Sequence, residues 1–181
     1  MARKLRRSLP GDKGHDDINS MIRVDHAGEY GAKRIYEGQL AVLGDDPLIR
    51  HMADQEQAHL EFFEKEIVAR KMRPTALHPL WHIAGYALGA LTARISSEAA
   101  MACTVAVETV ISEHYQSQLD TLQDNEAEKK LHAAIKKFKA EEEEHHATGL
   151  EHHAENATGY IVLRKLIETG AKAAIEIAKR I

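Results

Sequence analysis

Leu131-His-Ala-Ala-Ile-Lys-Lys-Phe-Lys-Ala-Glu-Glu-Glu-Glu-His-His146 is the stretch that decides the fold. Leu131, Ile135 and Phe138 recur at steps of four and three, the period of one helix face. In the same register that face continues through Glu142, His145, Gly149 and His152. Glu143 instead continues His132, Lys136 and Lys139, a face for solvent. Of the four consecutive glutamates, a helix therefore turns Glu142 inward, with His145 one turn on. Glu143, Glu144 and His146 are expected in water or behind the inward pair.

Three more stripes read the same way. A helix over 16–43, opened by Asp16 or Asp17 and closed by Gly44, presents Ile22, Asp25, Glu29, Ala32, Tyr36, Leu40 and Leu43. A second, over 47–72, has Asp46 as its cap and Pro47 in first position, and Arg73-Pro74 stops it. It presents Met52, Glu56, His59, Phe63 and Ile67. A third, over 97–123, presents Met101, Thr104, Glu108, Ile111, Tyr115, Leu119 and Leu122. The helix of the opening stretch is predicted over 126–155. Two more apolar helices are predicted over 79–94 and 160–180, the latter with Tyr160, Leu163, Ile167, Ala174 and Ile177 on one side. The expected fold is all-α, a four-helix bundle with two additional, more apolar helices.

Each long stripe thus carries a carboxylate near its middle, and two carry a histidine three residues later. A buried carboxylate costs several kcal/mol unless it is paired or binds metal. Four converging carboxylates cannot all ionise in a dry core without cations. Two divalent ions meet that demand, since Glu and His at i and i+3 face the same way. Three Glu-x-x-His pairs occur where about one is expected by chance, so their weight comes from their places in the stripes. The donors read from the stripes are Glu29, Glu56, His59, Glu108, Glu142 and His145.

Composition narrows the function. A net charge of −4 argues against a general nucleic-acid binder. A single cysteine, Cys103, excludes an intrachain disulfide framework. Aromatics are only 5%, so the core must be mostly aliphatic, and the 12 histidines supply the commonest metal ligand. Residues 1–15 read as a basic flexible arm ahead of one domain, 16–181. Between Arg73 and Arg94 no charged residue occurs, yet after Pro79 the apolar run is too short to span a bilayer. It suits a buried helix or one lying on a membrane face, with Trp81 at the interface.

Glu, then Glu-x-x-His, twice over on four helices, resembles the ferritin-like di-iron carboxylate proteins. The likeness is closer still in Arg23-Val-Asp-His-Ala-Gly-Glu-Tyr-Gly-Ala32, Asp54-Gln-Glu-Gln-Ala-His59, Arg73-Pro74 with Pro79-Leu-Trp81, Ala100-Met-Ala-Cys-Thr-Val-Ala-Val-Glu108 and Glu141 to His146. These segments resemble the 5-demethoxyubiquinone hydroxylase family, from about residue 18 to the C-terminus. The resemblance implies a ferritin-like bundle holding two iron ions on the six donors already read from the stripes. It implies a monooxygenase that hydroxylates a demethoxyquinone ring with O2 and electrons from NADH. It also implies a lipid substrate with an isoprenoid tail and a peripheral place on a membrane. That membrane would be the cytoplasmic face of a bacterial inner membrane or the matrix face of the mitochondrial one.

Further expectations attach to single residues. Tyr115 and His114 could pass electrons, or Tyr115 could simply tie its hydroxyl to a carboxylate. Asp25 is expected beside a ligand histidine or in a plain helix-to-helix bond, and His152 behind the site or bonded to Asp25. The apolar segment and the last helix could also take a lipid-binding accessory protein or a second copy. Competing readings are a ferritin-like iron oxidase or store, and a non-catalytic quinone- or lipid-binding bundle.

Overall fold

The computed structural model describes residues 13–180, with side chains from Ile18 onward. The expected arm over 1–15 lies almost wholly outside the described residues. Six α-helices follow: α1 (Lys13–Leu43), α2 (Pro47–Ala69), α3 (His78–Ile95), α4 (Ser97–Leu122), α5 (Lys129–Glu151) and α6 (Tyr160–Ala178). Single 3-10 turns stand at Glu126–Glu128 and Ala154–Asn156, and no strand occurs among the described residues.

Local chemistry accounts for most ends. Asp46 Oδ1 accepts from Leu48 N at 2.8 Å and Ile49 N at 3.4 Å, a cap worth about 1 kcal/mol, ahead of Pro47. Ser96 Oγ accepts from Ala99 N at 3.1 Å and opens α4. Helix α1 is already formed at Lys13, the first described residue, ahead of the expected Asp16. Helix α2 ends at Ala69, short of 72, because Lys71 takes φ 54° and Met72 N bonds back to Ile67 O at 3.0 Å. Helix α5 ends at Glu151 rather than 155, because His153 turns left-handed at φ 64°.

Helix α1 pairs with α2 and α4 with α5, and the two pairs face each other to close a four-helix bundle. Apolar layers fill its two ends. One holds Ile22, Phe63, Ile67, Leu131, Ile135 and Phe138. The other holds Ile49, Met52, Met101, Ala102 and Val105. The carboxylates of the stripes lie between these layers.

The outer helices sit differently. Helix α3 lies along α1 with its backbone in near contact. A Cβ at Gly89 would run into the Ile35 carbonyl oxygen, and one at Gly38 into that of Tyr86. Helix α6 rests on α4 and reaches α1 more sparsely. A cavity of about 530 Å³ opens between α1, α3, α4 and α6. Trp81 lines it, packed with Val24, Ala27, Ile175 and Ala178 rather than standing at an outer interface. On α6 Ala178 is buried and Ile177 exposed, so the expected stripe is displaced at its end. Leu80, Ile83, Leu91 and Ile95 on α3, and Ile161, Val162 and Leu166 on α6, face outward. No helix among the described residues is long and apolar enough to cross a membrane.

Candidate metal centre

All six expected donors converge and are buried. They form two groups, Glu29, Glu56, His59 and Glu142, and Glu56, Glu108, Glu142 and His145. In each, the donor atoms lie within 4.8 Å of one another, and Glu56 and Glu142 belong to both. His59 Nδ1 is 3.2 Å from Glu29 and 3.1 Å from Glu142. His145 Nδ1 is 3.3 Å from Glu56 and 3.2 Å from Glu142. The register read from the stripe is the one adopted: Glu142 is buried, and Glu143 and Glu144 are exposed.

Burial and mutual repulsion dominate the electrostatics of this cluster. Burial and the neighbouring Glu142 push Glu56 and Glu108 well above the usual carboxylate range. Burial would raise Glu142 too, but hydrogen bonds from His145 and His59 hold it down at about 2. Burial would lower His59, yet Glu142 and Glu29 hold it up at about 11. Both oxygens of Glu56, one of Glu108 and one of Glu142 are buried without a hydrogen-bond partner. Unpartnered buried carboxylate oxygens beside inward imidazoles fit two divalent cations of a kind that takes oxygen and nitrogen donors.

Residues 16–178 match the family model for the ubiquinone biosynthesis protein COQ7. The chain belongs to this family. It is 54% identical over 168 residues to a protein of Rattus norvegicus named NADPH-dependent 3-demethoxyubiquinone 3-hydroxylase, mitochondrial, covering 90% of this chain and 77% of the rat protein. A 3-demethoxyubiquinol 3-hydroxylase of Rhodospirillum rubrum is 48% identical over 178 residues, 96% of this chain and 83% of that one. A mitochondrial 5-demethoxyubiquinone hydroxylase of Saccharomyces cerevisiae is 41% identical over 182 residues, 91% of this chain and 78% of the yeast protein. The rat protein's name specifies NADPH, where the resemblance implied NADH.

Several neighbours of the cluster differ from expectation. Asp25 meets neither a ligand histidine nor His152. It accepts from Gln118 Nε2 at 2.6 Å and lies 3.5 Å from His114 Nε2, because this turn of α1 faces α4. Burial raises the Asp25 carboxyl. His152 stands exposed at the C-terminal cap of α5, beyond the point where the left-handed turn ends the stripe. Tyr115 donates its hydroxyl to Glu29 Oε1, the tie to a carboxylate that the stripe suggested. Tyr36 donates to Glu108 Oε1 at 2.6 Å, which periodicity alone could not show, since the bond crosses between helices. Cys103 is buried, and burial pushes its thiol up to about 12. The cavity ends at this site: Asp25, Glu29, His114 and Tyr115 form its polar end, and the rest of its wall is apolar apart from the indole of Trp81.

Two outer partners escaped the sequence reading. His59 Nε2 donates to Glu141 Oε2 at 2.9 Å, and His145 Nε2 donates to Gln55 Oε1 at 2.9 Å. Each is the residue just before the inward glutamate of the facing helix. The available signal was chemical: a histidine that binds through Nδ1 needs an acceptor at Nε2.

Proposed function

We propose that the two donor groups hold two iron ions, with Glu56 and Glu142 shared. On this reading Glu29 and His59 complete one position, and Glu108 and His145 the other. The names of the relatives describe hydroxylases of a demethoxyubiquinone, and this chain acts as such a hydroxylase in ubiquinone biosynthesis. Bound iron supplies the reductive activation of O2, one oxygen atom entering the ring and the other leaving as water. A reduced nicotinamide nucleotide is the ultimate electron source.

The observation that carries the reading is the cavity, an apolar passage of about 530 Å³ that ends at Glu29 and Tyr115. Val24, Ala32, Val107, Val110, Leu163 and Ile167 would hold a quinone ring and the start of its tail by dispersion and exclusion of water. Tyr115 holds Glu29 by a hydrogen bond and stands beside the ring's place. With His114 it is suited to electron passage from a bound substrate that the nicotinamide nucleotide has reduced to the quinol. The outward apolar residues of α3 and α6 support a place on a membrane surface, from which a lipid substrate would enter. The same face would suit a lipid-binding accessory protein or a second copy. An iron store would use the same six donors but has no use for an apolar passage.

The test is turnover under 18O2 with a short-tailed demethoxyquinone and a reduced nicotinamide nucleotide, after anaerobic loading with ferrous iron. One labelled oxygen in the ring, near two irons per chain, and loss of turnover in Glu108→Ala are expected. Iron uptake without ring labelling would favour the iron-oxidase reading. No iron uptake would leave a lipid-binding bundle.

A further inference from the structure

The two metal positions receive matched inner donors, each one histidine, one carboxylate of its own and the shared Glu56 and Glu142. Their surroundings are not matched. His59 Nε2 meets the carboxylate of Glu141, and His145 Nε2 meets the neutral amide of Gln55, both at 2.9 Å. Glu141 is itself held by Lys137 Nζ at 3.0 Å, which keeps its other oxygen occupied. A second difference accompanies it. Asp25 stands one turn before Glu29, while Thr104 stands one turn before Glu108. Gln118 reaches Asp25 at 2.6 Å, and its counterpart Gln39 reaches the Ala100 carbonyl at 3.1 Å and Thr104 Oγ1 at 3.5 Å.

An anionic acceptor on the far nitrogen of an imidazole makes the near nitrogen a stronger donor than a neutral acceptor does. We infer that Glu141 and Gln55 are positioning residues that make the two metal positions unequal. The ion beside His59 is held more tightly than the ion beside His145, and Glu141 is the main reason. The inference rests on the proposed two-iron site and deepens it, since the six donors alone give no order of filling.

The experiment is anaerobic titration of the full chain with ferrous iron, read as two stepwise dissociation constants. Wild type should bind in two separated steps. Glu141→Gln, which keeps the shape and the hydrogen bond, should weaken the first step by roughly 10–100-fold and draw the steps together. Gln55→Glu should strengthen the second step. Glu108→Ala should keep the tight ion, and Glu29→Ala should keep only a weak one. Thermal melting of the metal-free variants supplies the check on a merely structural role: similar melting with altered steps supports the inference. Unchanged steps in both Glu141→Gln and Gln55→Glu would overturn it while leaving the two-iron site intact. A wild type that takes up no iron would overturn the site and the inference together.

Discussion

In α1, Glu29 is followed seven residues on by Tyr36, and in α4 Glu108 is followed seven on by Tyr115. Each tyrosine donates across the bundle to the glutamate of the other helix. Helices α2 and α5 answer one another in the same way, through Gln55-Glu56 with His59 and Glu141-Glu142 with His145. Each pair is then followed by an apolar helix, α3 lying on α1 and α6 on α4. The two halves thus share a plan, and their differences locate the chemistry. Glycine brings α3 into backbone contact with α1 and closes that side. Helix α6 stands off, and the cavity fills the gap beside Glu29 and Tyr115. The buried acid Asp25, on α1, lines that cavity, and the matching position on α4 is Thr104.

The strongest way to break the comparison is at the shared donors. Glu142→Ala should remove both ions and all turnover, whereas Glu143→Ala, its exposed neighbour, should keep near two irons per chain by elemental analysis. Equal loss in both variants would sink the register on which the site is built.

The next effect separates the closed side from the open one. At Gly89 an added methyl meets the backbone of Ile35, and at Gly170, which lines the cavity, it meets nothing within 4 Å. Gly89→Ala should lower stability by about 2 kcal/mol, a fall in Tm of roughly 4–8 °C. Gly170→Leu should leave Tm and iron content close to wild type but raise the KM for the quinone roughly tenfold. A normal KM in the Gly170 variant would mean that the substrate does not use this passage.

The tyrosine pair offers a smaller and more symmetrical test. Tyr36→Phe and Tyr115→Phe each leave a buried carboxylate oxygen without its donor, a loss of about 1–2 kcal/mol by denaturant unfolding. Only Tyr115 faces the cavity, so only its variant should also change quinone turnover.

The smallest effect concerns His26, which stands where α4 has Val105. Burial, and then the nearby His78, push the His26 imidazole down to about 4. The unfolded chain therefore takes up a proton between pH 6.5 and 4 that the folded one refuses. Stability from this group is full above pH 6.5 and is lost as pH falls toward 4. His26→Val should flatten that limb of the stability profile by on the order of 1 kcal/mol, allowing for solvent screening at this edge. An unchanged slope between pH 4 and 6.5 would remove His26 as its source.

Much of the site was legible in the sequence because its signals are local. Helical period alone chose Glu142 over Glu143 and set Glu29, Glu56 and Glu108 on the inward faces. His152 was misplaced because the same period was carried past the turn at His153, whose left-handed backbone no side-chain pattern announces. Asp25 turns inward as read, and of its two expected partners it takes the plain helix-to-helix bond, to Gln118, since a stripe names a face and not the helix opposite. Gln55 and Glu141 went unseen because they lie one residue off the stripe and act only across the bundle.

By itself, then, the sequence determined the helices, their buried faces and the six residues that converge in the buried cluster, all consequences of a 3.6-residue repeat acting within one segment. Only the tertiary structure decided which two carboxylates are shared, which tyrosine serves which glutamate, and where the passage opens. Those depend on the distances between helices, and distances between helices are set by the sizes of the groups at the crossings: backbone against backbone at Gly89, open space at Gly170.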